Sequence, residues 1–257
     1  MTAGRGGRPQ APAAQANGAA RADAEAADAA QAGDGEAGPA PARRRRYREP
    51  AQREAQILRE SIRFFAENGF SGSTRDLARQ IGITQPLLLR YFQSKDDLIE
   101  RIYQVVFMDN WDSRWEATIA DSSRPLRERL LDFYRSYLGK TFDADWMRLY
   151  VHAGLTNVGI NHRYMEMVET RILRPLCVEL RNQFCLVPVS LRPISDAEVA
   201  YMWNFHGGIF YRGVRQHAFR APVKGDPDKV LEASIDAFLD AAPRVLAVLI
   251  SQRVSLG

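Results

Sequence analysis

The sequence predicts an all-α protein in which a three-helix helix-turn-helix unit precedes a longer helical body. Apolar residues recur at three- and four-residue spacing from Gln52 to Ile250, the period of one helix face. Ala78, Gly82 and Leu88 stand at relative offsets of 0, 4 and 10, a spacing that brings two short helices together across a tight turn. No stretch alternates polar and apolar residues for long enough to propose a strand.

The chain has 257 residues, 46% hydrophobic and 26% charged, a composition suited to a globular core. No run reaches the roughly 18 consecutive apolar residues of a membrane span, so no membrane partner is expected. Two cysteines, Cys177 and Cys185, are too few for a disulfide framework and suit a reducing, cytoplasmic setting. The formal charge of +4 is too small to announce a partner, but it is unevenly spread. Residues 1–42 hold three Arg and five acids, whereas Arg43, Arg44, Arg45, Arg46 and Arg48 crowd the next few positions.

Residues 1–42 contain 17 Ala, 7 Gly and 4 Pro, with no aromatic, Val, Ile, Leu or Phe. Such a segment cannot bury enough apolar surface to offset its ordering entropy, so it reads as a disordered tail. It has no apolar region of the kind a signal peptide needs. Residues 43–49 form a basic arm, and the folded protein is expected to begin at Pro50. Arginine is abundant throughout, 31 against 4 lysines, so the arm taken alone reads first as a solvated charge run.

From Gln52, the residues Ala55, Ile57, Leu58, Ile62 and Phe65 mark the inner face of a first helix, closed by Gly69. A second short helix begins at the hydroxyls Ser73 and Thr74, turns Leu77, Ala78 and Ile81 inward and breaks at Gly82. Thr84 caps a third, with Pro86 in the first turn, where a missing N–H is harmless, and Leu88 pinning it to the second. Ser94-Lys95-Asp96-Asp97 reads as a capping box, followed by Leu98, Ile99, Ile102, Tyr103, Val106 and Phe107 on one face of a fourth helix.

These segments resemble the N-terminal DNA-binding domain of TetR-family (tetracycline-repressor-like) transcriptional regulators. The likeness rests on Ile57-Leu58, Phe65-Ala66-Glu67-Asn68-Gly69-Phe70, Leu77-Ala78, Gly82-Ile83-Thr84 and, above all, Tyr91-Phe92-Gln93-Ser94-Lys95-Asp96-Asp97-Leu98. It departs from the usual pattern in having Leu87 and Leu89 where a small and an aromatic residue are common, and in running Thr74 straight into Arg75-Asp76. The resemblance implies a DNA-binding domain over 50–97 and a ligand-binding and dimerisation domain over 98–257.

With the third helix in a major groove, Gln85 is placed to pair with adenine and Leu87 to meet a thymine methyl. Pro86 lies between them. Arg90 and Tyr91 are placed for phosphates, as are Thr74, Thr84 and Lys95 near helix N-termini. Thr74, Thr84 and Ser94 equally read as simple helix caps. Beside such a domain, Arg43, Arg44, Arg45 and Arg46 read as an arm along the backbone or in the minor groove.

Helical spacing continues over residues 126–138, 146–155, 164–186, 197–219 and 230–250, with Pro243 expected to kink the last helix. In the resembled family, the last two long helices form the subunit interface. Leu231, Ile235, Phe238, Leu239, Ala242 and Leu246 make an apolar face there that a second subunit is expected to cover. Trp146, Tyr150, Trp203, Phe210 and Tyr211, with His152, Asn204 and His206 and the space left by Gly207-Gly208, read either as ordinary aromatic core or as the wall of a pocket for a small apolar or aromatic effector.

No cofactor is implied. No metal site is supported by His152, His162, His206 and His217 or the two cysteines, and no catalytic motif appears. The expected function is a sequence-specific DNA-binding regulator: a homodimeric repressor on a near-palindromic, double-stranded operator, released by a small molecule. The alternatives are an architectural or constitutive DNA-binding protein without effector, or an enzyme or scaffold carrying an appended helix-turn-helix.

Overall fold

The computed structural model describes residues 50–156 and 159–251; the arm residues Arg43, Arg44, Arg45 and Arg46 and the tail expected over 1–42 lie outside them. Among the described residues there is no strand. Helix α1 (Pro50–Asn68) buries Ile57, Leu58, Phe64 and Phe65. Gly69 ends it at φ +72, its N–H donating to the Phe65 carbonyl at 2.9 Å. A side chain at that angle is strained. Phe70 then folds back to stack on Phe65, ring centres 5.4 Å apart.

Helix α2 (Thr74–Gln80) is capped by Ser73, whose hydroxyl accepts the Asp76 N–H at 3.1 Å and donates to the Asp76 carboxylate at 2.6 Å. The cap is thus one residue earlier than Thr74, whose hydroxyl instead bonds across the turn. Gly82 stands at φ +70, and Ile83 donates its N–H to the Ala78 carbonyl at 2.9 Å. Thr84 caps α3 (Gln85–Tyr91), accepting from the Leu87 N–H at 3.3 Å. Leu77 and Leu88 are wholly buried between the two helices, and each such leucine contributes about 1.5–3 kcal/mol by leaving water.

Ser94 caps α4 (Lys95–Tyr103), accepting from the Asp97 N–H at 3.0 Å. The return arm of the expected box goes one residue further back, the Asp97 carboxylate accepting from the Gln93 N–H. The domain boundary expected at residue 97 falls in the first turn of this helix. Leu98, Ile99 and Ile102 behind it belong to the same continuous core as Leu88 and Phe65. The helix widens into a π-helical turn over Gln104–Met108, so Val106 and Phe107 also point inward.

The body adds α5 (Arg114–Ala120), α6 (Leu126–Thr141), α7 (Ala144–Thr156), α8 (Ile160–Val168), α9 (Arg174–Gln183), α10 (Asp196–Gly213) and α11 (Pro227–Ser251). A π-helical turn, Glu169–Leu173, joins α8 to α9, and another, Val214–Ala218, extends α10. Helix α7 packs on α1, α8 and the end of α10, while α6 packs on α5 and α11. Helix α11 runs on for about two turns past Pro243, although that residue has no N–H to donate.

Gly213 is required where α10 passes α6 and α7, because a Cβ there would lie 2.6 Å from Met147 and Phe142. The start of α10 is held by a buried ion pair. Arg181 donates to both Glu198 oxygens at 2.7 and 2.6 Å and to the carbonyls of Val187, Arg192 and Pro193. Burial pushes the Glu198 carboxyl up, but hydrogen bonds from Arg181 and Ser195 outweigh it and hold the group below its ordinary value. With every donor and acceptor satisfied, removing one partner costs about 3–5 kcal/mol.

Candidate functional site

Two regions concentrate the expected site residues. On the helix-turn-helix, Thr84, Pro86 and Arg90 are exposed on α3, Gln85, Leu87 and Tyr91 are half-buried, and Leu88 alone is inside. Gln85 donates from Nε2 to the Thr74 hydroxyl at 3.0 Å, which fixes the first turn of α3 against the first turn of α2. The Arg90 guanidinium lies 5.5 Å from the Tyr91 ring centre, and Lys95 opens α4 nearby in sequence. Arg75 and Arg79 add exposed cations on α2. Arg79 pairs with Asp76 at 2.9 Å, and that carboxyl is lowered first by the Ser73 hydroxyl and further by the arginines.

The second region is a cavity of about 180 Å³ in the body, where α6, α7, α8 and α10 converge. Of the expected residues, Tyr150, Trp203, His206 and Phe210 line it. Tyr137, Tyr164, Met165, Val168 and Gly207 complete the wall. Trp146 stands behind the wall, stacked on Tyr150 with ring centres 5.4 Å apart. Three expected residues are elsewhere. His152 abuts Gly69 at the end of α1, where an added Cβ would meet its Nδ1 at 2.9 Å. Asn204 lines a separate, outward groove of about 340 Å³ between α6, α10 and α11, and Tyr211 is 53% exposed. Each α10 placement follows from helix phase: positions 203, 206 and 210 share one face, 207 lies at its exposed edge, and 204 and 211 face away from it.

His206 is buried against Tyr134 and Tyr137, its Nδ1 3.4 Å from the Tyr134 hydroxyl and its Nε2 3.5 Å from that of Tyr137. Tyr164 donates to the Tyr137 hydroxyl at 3.2 Å. Burial lowers the imidazole pKa to about 4, leaving it neutral at physiological pH. Burial likewise raises the phenols of Tyr137, Tyr150 and Tyr164. Trp203 donates from Nε1 to Glu169 at 3.0 Å, and Arg174 holds the same carboxylate. The Trp203 bond and Arg174 together keep that carboxyl below its ordinary value, against the opposing effect of burial.

Residues 57–102 match the model of bacterial regulatory proteins of the tetR family. The chain carries a tetR-family domain. Its fold is similar to that of a protein from Pseudomonas aeruginosa PAO1 assigned as a transcriptional regulator, with a TM-score of 0.56 at 16% identity over 77% of this chain and 95% of the other. A protein from Mesorhizobium loti MAFF303099 assigned to the TetR family gives 0.48 at 14% identity, covering 77% and 96%. A TetR/AcrR-family regulator from Thermobifida fusca YX-ER1 gives 0.42 at 20%, covering 74% and 97%. No curated protein matches.

The tetR-type domain meets the body along α4 and the end of α1. Arg163, beside Tyr164 on α8, forms a two-pronged ion pair with Glu100 and lies over the Tyr103 ring. Phe107, on the π-helical turn, contacts Trp146 and Tyr164, ring centres 5.0 and 5.6 Å apart. The cavity wall and the helix that ends the tetR-type domain are therefore in direct contact.

The apolar face of α11, expected to be covered by a second subunit, is covered instead within the subunit. Leu231, Ile235, Phe238, Ala242 and Leu246 are buried within the subunit, and Leu239 is half-buried. Phe238 stacks on Phe205 with ring centres 3.9 Å apart. That face packs on α6 and α10 and is not available to a partner. The opposite faces carry small and apolar residues in the open: Ala200, Gly207, Gly208 and Tyr211 on α10, and Val230, Ala233, Ala237 and Val248 on α11. Among the described residues, no group of three or more His, Cys, Asp or Glu could hold a metal ion, and no helix is long and apolar enough to cross a membrane.

Proposed function

We propose that the chain is a ligand-responsive, homodimeric repressor that binds a near-palindromic operator through α3 and is released by a small molecule in the body cavity. The observation that carries the DNA-binding part is the tetR-type helix-turn-helix with Gln85 and Arg90 presented on α3. Gln85 reads a base edge, and its bond to Thr74 holds the amide in a fixed plane before contact. Arg90, Thr84 and Lys95 position the domain on phosphates, and the arm residues Arg43–Arg46 extend the contact along the backbone.

The cavity favours an effector reading over a constitutive or architectural one, because a filled core would leave nothing to bind. Its contact with α4 supplies the coupling. A ligand that prefers one arrangement of Tyr164 and Phe107 biases the orientation of α4, and with it the spacing of the two recognition helices. Only one spacing fits half-sites about 34 Å apart on one face of the duplex.

Dimerisation uses the exposed faces of α10 and α11. A Cβ on Gly207 or Gly208 meets nothing inside the subunit, so packing within the chain does not require glycine there; close approach by a partner's helix does. Ala237→Arg should then give a folded monomer in sedimentation velocity. For the DNA reading, Gln85→Ala with Arg90→Ala should abolish specific binding in a mobility-shift assay with the dimer intact. Undiminished specific binding would remove α3 from the account.

A further inference from the structure

The aromatic cavity constrains the chemistry of its occupant in three ways. The first is size. About 180 Å³ is slightly more than the roughly 150 Å³ that accommodates benzene in an engineered cavity, so the space suits one ring with a small substituent. The second is charge. No Lys, Arg, Asp or Glu lines the cavity, and Glu169 behind Trp203 already serves Trp203 and Arg174. A charged occupant would be buried without a counter-charge.

The third is a surplus proton. The hydroxyls of Tyr134, Tyr137 and Tyr164 and the one N–H of neutral His206 bring four protons to three contacts: Tyr134–His206, His206–Tyr137 and Tyr164–Tyr137. With Tyr134 donating to Nδ1, and Nε2–H and Tyr164 both donating to Tyr137, the unspent proton sits on the Tyr137 hydroxyl at the cavity wall. In the reverse direction it sits on Tyr134, away from the cavity. An acceptor atom in the cavity selects the first direction, because it gives the surplus proton a partner.

We propose that the site takes an uncharged single-ring aromatic bearing one acceptor oxygen, which accepts a hydrogen bond from Tyr137. This rests on the body being the effector-binding part of the protein. It is tested by isothermal titration calorimetry of the full chain at pH 7 with acetophenone, toluene, benzoate and tetramethylammonium. Acetophenone should bind, toluene about tenfold more weakly, which corresponds to about 1.4 kcal/mol for one hydrogen bond to a buried donor, and the two ions not measurably.

Tyr137→Phe should bring acetophenone to the level of toluene and leave toluene unchanged. Met165→Trp, at a partly exposed wall position on α8 away from the exposed faces of α10 and α11, should fill the cavity and abolish both. Tighter binding of either ion, equal binding of toluene and acetophenone, or acetophenone binding that survives Met165→Trp would overturn the assignment. Absence of binding by every probe, in a preparation that still binds DNA specifically, would overturn it and leave the DNA-binding reading standing. Binding of acetophenone without change in DNA affinity would support the cavity chemistry and count against release of DNA.

Discussion

The Arg163 guanidinium sits 3.7 Å from the centre of the Tyr103 ring and holds the two oxygens of Glu100 at 3.1 and 2.8 Å. One side chain thus clamps α4 twice from α8, and its neighbour Tyr164 lines the cavity. An exposed ion pair of this kind adds little to stability. Its geometry matters more: under the proposed function, a shift of α8 on ligand binding would be passed to α4 through a rigid fork and a stacked ring.

Arg163→Ala should therefore leave ligand-free DNA affinity within about twofold while reducing the ligand's effect on that affinity, where couplings of about 5–150-fold are usual. Fluorescence anisotropy of labelled operator, with and without the aromatic ligand, measures it. Full coupling in the variant would show that the signal passes elsewhere, for example through Phe107.

Gly69→Ala should destabilise the whole described unit by about 1–3 kcal/mol, the usual range for forcing a side chain into the left-handed region. The added Cβ also meets His152, at the junction of α1 and α7. The urea midpoint should fall with an unchanged slope; an unchanged midpoint would mean that the turn relaxes freely.

His206 predicts a pH dependence with a definite sign. Its folded pKa is lowered to about 4 from 6.5, so between those values the unfolded chain binds the extra proton. Stability should be level above pH 7 and fall as pH drops from 6.5 toward 4, by about 1.4 kcal/mol per pH unit for one proton. His217 is shifted in the same direction but is present in both proteins when wild type is compared with His206→Gln. The variant should lose this part of the slope, and parallel slopes would contradict the buried neutral imidazole.

Deleting residues 1–46 should weaken DNA binding and flatten its salt dependence by about 0.9 in log-log slope for each phosphate that the arm neutralises. An unchanged slope would assign the arginine run to solubility.

The helix-turn-helix is legible in sequence because its signals are local. Ala78, Gly82 and Leu88 lie within eleven positions, and Thr84 and Ser94 cap the helices they precede. The cap of α2 differs by one residue because Ser73 and Thr74 offer the same hydroxyl chemistry side by side. Helix α5 escapes detection because its seven residues bury only Trp115 and Ile119, too few for a period to emerge.

The body is less legible for a different reason. Periodicity marks the apolar face of α11 but cannot say whether a partner or the subunit's own α6 and α10 cover it. The cavity joins Tyr137, Tyr164 and His206 from three helices, a meeting that no single stretch of sequence records; Tyr150 and the α10 residues 203, 206 and 210 are identifiable as aromatic or polar positions grouped with the glycine pair.

The most direct test is selection of bound duplexes from a random pool by the full chain, repeated with Gln85→Ala and Arg90→Ala. A DNA-binding dimer should enrich a two-fold-related pair of half-sites about one helical turn apart, abolished or altered in the variants at the positions that α3 faces. Enrichment without inverted symmetry, or an identical motif from wild type and variants, would contradict that expectation.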